Sequence, residues 1–341
     1  MTTHIIIMAG GIGSRFWPMS TPEFPKQFID VLGTGRTLIQ MTYDRLVPIC
    51  PPEQIWVVTS ESYVDLVAEQ LPQIPAANII AEPASRNTAP CIALACWRIR
   101  ETCDDANILV TPADALVIDP AEYRRVVCRA LEFTEASDAI VTVGIKPIRP
   151  ETGYGYIQTA EGPDEILKVH TFKEKPDLVT ARSYLAAGGY LWNAGIFVWR
   201  LATIVAALRT YAPQIAELAD KMAAAGFAPE AVAELFPLCP KISIDYAVME
   251  KHPRIYTIPG DFGWSDLGTW GSLLQNSERD DQGNAVIGEG VSLHGCSDCV
   301  VRVAGLDKVE LEGLHGYIVA HKDGRLLVCR LEEEQRIRDF L

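Results

Sequence analysis

Over the first 150 residues, short apolar runs alternate with helix-like stretches, and this rhythm constrains the fold more than any other feature. "HIIIMAG" precedes a helical pattern over 38–49, "QIWVVTS" one over 63–71, and "NIIAEP" leads into "NTAPCIALACWRIRE". "NILVTPAD" precedes a helical pattern over 121–134, and "AIVTVGIKP" follows it. Strands alternating with helices imply βαβ units and a mostly parallel, twisted, Rossmann-like α/β sheet. Ligands bind such sheets beyond the carboxyl ends of the strands. The loop after Met8, the turn after Ile80 and the turn after Val110 are therefore expected on one edge.

After residue 150 the rhythm changes. "TGYGYIQ", "ILKVHTFKEKP", "WNAGIFVWR" and "RIYTIPG" read as strands, with helices at 177–187 and between about 201 and 250. The expected organisation is a domain over 1–275, with halves 1–150 and 151–275, and a small β-rich domain over 284–341. In the latter, "AVIGEGV" and "SLHGCSDCVV" suggest six-residue rungs, for which a short left-handed β-helix is the candidate form. Its short strands cannot close a large core alone, and the apolar "GYIVAH" and "LLVCRL" need burial. A homodimer through this domain is the expected solution.

Charge narrows the class of partner. The 44 acidic residues outnumber the 30 basic ones, for a net charge of −14. Nucleic acid and anionic membrane surfaces are poor partners for such a chain. No apolar run approaches the roughly 20 residues that span a bilayer, and "MTTHIIIMAGG" enters a strand without a signal-peptide pattern. Nine scattered cysteines suit a reducing cytoplasm better than a disulfide framework.

Against that acidic background, basic residues in loops stand out. "MAGGIGSRFWPMSTPEFPKQF" places Gly10, Gly11 and Gly13 directly after the first strand, then Arg15 and Lys26. Glycines allow close approach to backbone N–H groups, and such N–H groups cradle anions. The spacing lacks the third glycine of the dinucleotide fingerprint, and no P-loop lysine follows directly. Two basic side chains on one long loop suit a triphosphate. "EPASRNTAP" follows the third strand. Asn87 there is either a helix N-cap or a ligand, whereas Glu82 offers two acceptor oxygens suited to the adjacent N–H donors of guanine. "TPAD" carries Asp114 and "WSDLGTW" carries Asp266. Both are candidate Mg²⁺ ligands, because Mg²⁺ takes few protein oxygens and completes its shell from phosphates and water; a helix cap is the simpler alternative for each. "FKEKP" offers Glu174 for sugar hydroxyls and Lys175 for a sugar phosphate. "WNAG" and "GYGY" add Asn193 and close backbone approach at Gly155. "CSDC" lacks the second cysteine pair of a zinc site, and the six histidines show no ligand spacing.

Taken in order, "MAGGIGSRFWPMS", "FPKQF", "EPASRNTAPCIALA", "VTPAD", "FKEKP", "WNAGIFVW", "SIDYAVMEK" and "GWSDLGTW" resemble the mannose-1-phosphate guanylyltransferases, or GDP-mannose pyrophosphorylases. The resemblance spans residues 4–275 strongly and the tail weakly. It implies the nucleotide-diphospho-sugar transferase fold and the reaction of GTP with mannose 1-phosphate to give GDP-mannose and pyrophosphate, assisted by Mg²⁺. Carried over by position, Gly10, Gly11, Gly13 and Arg15 would wrap the triphosphate, and Lys26 would contact phosphates near the reacting centre. Glu82 and Asn87 would meet guanine and ribose, Asp114 and Asp266 the metal, and Gly155, Glu174, Lys175 and Asn193 the mannose 1-phosphate. The sequence departs from the family at Phe16, where leucine is usual, at Thr21, where arginine is common, and at Ala115, where histidine is common. The competing expectations are a transferase using UTP or dTTP with glucose 1-phosphate, and a non-catalytic sugar-nucleotide-binding regulator on the same fold.

Overall fold

The structure is a computed structural model that describes residues 1–341 except Ile12, Gly13, Glu161, Pro163 and Leu341. In chain order its first strands and helices are β1 (Thr2–Met8), α1 (Leu38–Leu46), β2 (Ile55–Ser60), α2 (Val64–Gln70), β3 (Ile79–Glu82), α3 (Thr88–Arg100) and β4 (Ala106–Pro112). Then come β5 (Leu116–Val117), α4 (Pro120–Glu135), β6 (Ile140–Ile145), β7 (Tyr156–Thr159), β8 (Leu167–Lys173), α5 (Leu178–Ala187) and β9 (Tyr190–Arg200). Three helices follow, α6 (Leu201–Tyr211), α7 (Pro213–Ala224) and α8 (Pro229–Leu235), and then β10 (Ile255–Gly260), β11 (Trp264–Ser265) and α9 (Trp270–Asn276). The tail holds β12 (Ala285–Ile287), β13 (Val291–His294), β14 (Val300–Val303), β15 (Val309–Glu312), β16 (Tyr317–Lys322) and β17 (Arg325–Arg330).

Two compact units interleave along the chain. The first is built from Met1–Gly10, Asp44–Pro112 and Val117–Trp264, the second from Gly11–Tyr43, Ala113–Leu116 and Ser265–Leu341. The boundary that composition suggests at 275–284 falls inside the second unit. There, buried apolar residues of the loop after β1 (Phe16, Ile29, Val31) share one core with Trp270, Leu273, Val300, Ile318 and Ile337.

The first unit carries a nine-stranded sheet in the order β3-β2-β1-β4-β9-β6-β10-β8-β7. The β3, β2, β1 and β4 strands run parallel, as the alternating rhythm predicts. Beyond them the sheet is mixed. The long β9 pairs antiparallel with both β4 and β6, and β8 pairs antiparallel with β10. In β1, Ile5, Ile6 and Ile7 are fully buried, as expected of a strand covered on both faces. Helix α3 packs Ala89, Ile92, Ala93, Ala95 and Cys96 into the same core; its small residues let it lie close to the sheet.

In the second unit the tail strands stack in parallel. Ala285 pairs Val300, which pairs Ile318, and Val291 pairs Val309. A further bridge joins Ser297 and His315. Apart from the first, these partners lie 18 residues apart, a spacing of three six-residue rungs that belongs to a three-sided β-coil whose interior holds Val301, Val303, Val319 and Cys299. Antiparallel β17 closes against β16.

Candidate active site

In the second unit, one cavity of about 510 Å³ is lined by Arg15, Phe16, Lys26, Asp114, Asp266, Gly268 and Arg338. Lys26 opens a 3-10 turn over Lys26–Phe28, immediately after Pro25, and is 4% exposed. Its ammonium donates to the carbonyls of Asp266 at 2.6 Å and Leu267 at 3.2 Å, and pairs with Asp114 Oδ2 at 2.9 Å. An ammonium has three donors, so these protein acceptors satisfy it. The neighbouring Gln27 ties the turn to the glycine loop, donating from Nε2 to Gly11 O at 2.9 Å. Gly13 lies outside the described residues.

Leu267 makes this arrangement possible. Its φ is +42°, in the left-handed region that costs a branched side chain free energy. The Asp266 carboxylate accepts from Gly268 N at 3.1 Å, and a Cβ on Gly268 would lie 2.6 Å from Asp266 Oδ2. Any side chain there would displace the carboxylate. Just beyond, Thr269 and Ser272 form a reciprocal capping box that starts α9.

Asp114 and Asp266 thus present two carboxylates to one cavity, with basic groups beside them. Among the described residues no group of three or more His, Cys, Asp or Glu could hold a metal. A donor set of two carboxylates suits a hard divalent cation that completes its shell with phosphate oxygens and water. It does not suit a structural metal.

In the first unit, Glu82 ends β3 and is 8% exposed. Its Oε1 is buried without a hydrogen-bond partner among the described residues. Burial pushes the carboxyl up to about 7, and a hydrogen bond from the Cys91 thiol offsets this only in part. A Cβ on Gly10 would stand 3.4 Å from Glu82 Oε2. Asn87 is the N-cap of α3: its Oδ1 accepts from Thr88 N at 2.8 Å. Its backbone, at φ 69° and ψ −175°, occupies a region reserved almost wholly for glycine. Both readings of Asn87 therefore have support, since it caps the helix and is strained as well. Thr88 Oγ1 accepts from Ile244 N at 2.9 Å, which ties this loop to the "SIDYAVMEK" segment.

A second cluster in the same unit contains the remaining expected residues. Glu174 is 6% exposed, and its Oε1 pairs with Lys175 Nζ at 2.9 Å. A Cβ on Gly155 would fall 2.6 Å from Glu174 Oε2 and 3.3 Å from Asn193 Cβ. The glycine thus clears room for the carboxylate, and its carbonyl accepts from Asn193 N at 2.8 Å. The Asn193 side chain is fixed at both ends: Thr142 Oγ1 donates to its Oδ1 at 2.7 Å, and its Nδ2 donates to Asp245 Oδ1 at 3.0 Å. Lys175 sits at φ +45°.

Asp245 is a residue that sequence reasoning passed over. It is buried at the start of a π-turn, Asp245–Met249, and burial followed by the nearby Glu174 carboxylate pushes its pKa up. The "SIDYAVMEK" motif contained it, but no spacing marked it as facing Asn193. Of the six non-glycine residues with positive φ among the described residues, Asn87, Lys175 and Leu267 each lie in one of these three clusters. Strain of this kind concentrates at functional sites.

The sequence matches the nucleotidyl transferase family over residues 4–283. The chain belongs to that family. This nucleotidyl transferase is 39% identical to the xanthan biosynthesis protein XanB of Xanthomonas campestris pv. campestris, over 98% of this chain and 72% of that protein. It is 37% identical to the mannose-1-phosphate guanylyltransferase RfbM of Salmonella typhimurium, over 98% of this chain and 72% of the relative. Its fold superimposes on a crystal structure from Thermus thermophilus, described as a mannose-1-phosphate geranyltransferase, with a TM-score of 0.90 and 32% identity. That alignment covers all of this chain and 98% of the other.

Proposed function

We propose that this nucleotidyl transferase passes GMP from GTP to mannose 1-phosphate, giving GDP-mannose and pyrophosphate. The observation that carries the choice of base is the buried, unpartnered Oε1 of Glu82. A buried acceptor without a donor costs about 1–3 kcal/mol, and the N1–H and 2-amino group of guanine supply two adjacent donors to one carboxylate. Uracil and thymine offer a single ring N–H on that edge. The mannose reading draws on the relatives above and on the cluster around Asn193, where fixed acceptors at Glu174 and Asp245 suit sugar hydroxyls.

The sugar phosphate is already an anion at neutral pH, so the attack needs no general base. Its oxygen attacks the α-phosphorus in line, and the bond to the β-phosphate oxygen breaks. The barrier lies in bringing anions together and in charge gathering on the leaving pyrophosphate, so positioning and electrostatics carry the catalysis. Arg15 faces the phosphates and Lys175 holds the sugar phosphate. Lys26 holds Asp114 in place, and reaches a phosphate itself only by releasing one of its present acceptors. Asp114 and Asp266 would hold Mg²⁺, which when bound neutralises phosphate charge.

Two coarser expectations are part of the same reading. Leu326 and Val328 on the edge strand β17 are 60% and 51% exposed, and their burial in a homodimer through the tail would cover them. All nine cysteines are free thiols, which fits a cytoplasmic protein; among the described residues no helix is long and apolar enough to cross a membrane. Incubation with GTP, mannose 1-phosphate and Mg²⁺, followed by mass spectrometry of the products, tests the reaction. GDP-mannose and pyrophosphate in equal amounts are expected, and their absence overturns it.

A further inference from the structure

Sequence reasoning assigned the tail an assembly role, yet one of its side chains lines the phosphate cavity. Arg338 stands there with Arg15, Lys26, Asp114 and Asp266. It lies in the 3-10 helix Leu331–Phe340, which two contacts fix. Ile337 is fully buried in the core that also holds Phe16, Leu267 and Trp270. The Glu334 carboxylate accepts from Gly271 N at 2.8 Å.

Phe16 and Trp270 pack with ring centroids 5.2 Å apart. Arg15 precedes Phe16 and Arg338 follows Ile337, so both guanidinium groups hang from buried neighbours in one core.

The charges around Arg338 distinguish it from its neighbours Arg330 and Arg336. Arg330 pairs with Glu332 and Arg336 with Glu333, each at 3.2 Å. Among the described residues Arg338 has no carboxylate partner. In a chain of net charge −14, an arginine on a strongly acidic helix is readily neutralised; this one instead borders a cavity whose lysine is already committed to Asp114. Guanidinium forks match phosphate oxygens in pairs.

We propose that Arg338 binds the terminal phosphates of the nucleoside triphosphate, and the pyrophosphate derived from them, together with Arg15. The tail helix is then part of the nucleotide site as well as of the fold. This inference rests on the reading of the cavity as a triphosphate site.

Isothermal titration of the full chain with sodium pyrophosphate and Mg²⁺ tests it. Arg338→Ala is expected to weaken binding about tenfold, to raise KM for GTP by a similar factor and to leave KM for mannose 1-phosphate unchanged. Arg338→Lys should recover part of the affinity. Arg336→Ala, which removes the same charge from the same helix, should bind like the unmodified protein, and thermal unfolding of Arg338→Ala should be unchanged. If Arg338→Ala binds pyrophosphate normally while Arg15→Ala binds poorly, the proposal is wrong and the triphosphate reading of the cavity stands. An equal loss in Arg336→Ala also overturns it, since the effect would then be the general field of the tail. If Arg15→Ala and Arg338→Ala both bind normally, the triphosphate reading itself fails.

Discussion

The Lys26 ammonium lies 2.9 Å from Asp114 Oδ2, with the lysine side chain 5% exposed and that of the aspartate 38%. The pair is asymmetric: the cation is enclosed and the carboxylate opens onto the cavity. Lys26 therefore holds Asp114 in place, and through the carbonyls of Asp266 and Leu267 it holds the second carboxylate's turn as well.

Removing that lysine should damage both fold and activity. In Lys26→Met two backbone carbonyls and a partly buried carboxylate lose their donor. The expected cost is about 2 kcal/mol, below the figure for a fully buried pair because Asp114 meets solvent. Turnover should fall by about 10² or more. Chemical denaturation followed by assay of the same preparation checks both; a stable variant of normal turnover would show that the turn is preorganised without Lys26.

Asp114→Asn and Asp266→Asn should each lower turnover by about 10², and raise the Mg²⁺ concentration needed for half-maximal rate. The double variant should cost much less than the product of the two, since residues acting as a unit are non-additive. Their stabilities should differ. Asp114→Asn leaves Lys26 without its counter-ion and is destabilised, whereas Asp266→Asn keeps an acceptor for Gly268 N and is not. Mg²⁺ titrations and melting curves of the three variants are the measurement.

Glu82 links stability to pH. Its carboxyl rises from 4.5 to about 7 in the folded chain, so folding favours the protonated form. That contribution is fully present below pH 4.5 and is lost as pH rises through 7, by about 3 kcal/mol at most. Glu82→Gln should remove this loss and be more stable than the unmodified chain at pH 8. Only the ionised carboxylate accepts both guanine donors, so affinity for GTP should increase as pH rises through 7. The same variant should lose about tenfold of its preference for GTP over ITP, which lacks the 2-amino group. Melting curves and binding titrations from pH 5 to 8.5 check the pair of effects.

Gly155→Ala should strike the sugar side alone. Its Cβ would press on Glu174 Oε2 from 2.6 Å, and the buried carboxylate has little room to yield. KM for mannose 1-phosphate should rise about tenfold, with KM for GTP unchanged. A matched rise in both constants in steady-state kinetics would place Gly155 in the general fold and not in a sugar site.

Local pattern revealed most of this architecture. Strands ending in Met8, Glu82 and Pro112 announced themselves by apolar runs, and their loops by residues that a turn alone does not need, such as Arg15 and Glu82. What stayed hidden depends on distant contacts. Nothing in "WNAGIFVWR" says that it enters the sheet antiparallel between β4 and β6, because a doubly buried strand reads alike in either direction. Asp245 looks like any acid at a helix start until Asn193 is seen donating to it. Arg338 sits in a charged run that resembles a solvated face, and only the burial of Ile337 among Phe16 and Trp270 shows where it goes.

The most direct measurement is pyrophosphate release with GTP, ATP, UTP and dTTP, each offered mannose 1-phosphate or glucose 1-phosphate at saturating Mg²⁺. The expected result is the highest kcat/KM for GTP with mannose 1-phosphate, with Glu82→Gln narrowing the margin over the other nucleotides. Equal or faster turnover of UTP or dTTP with glucose 1-phosphate would contradict the assignment.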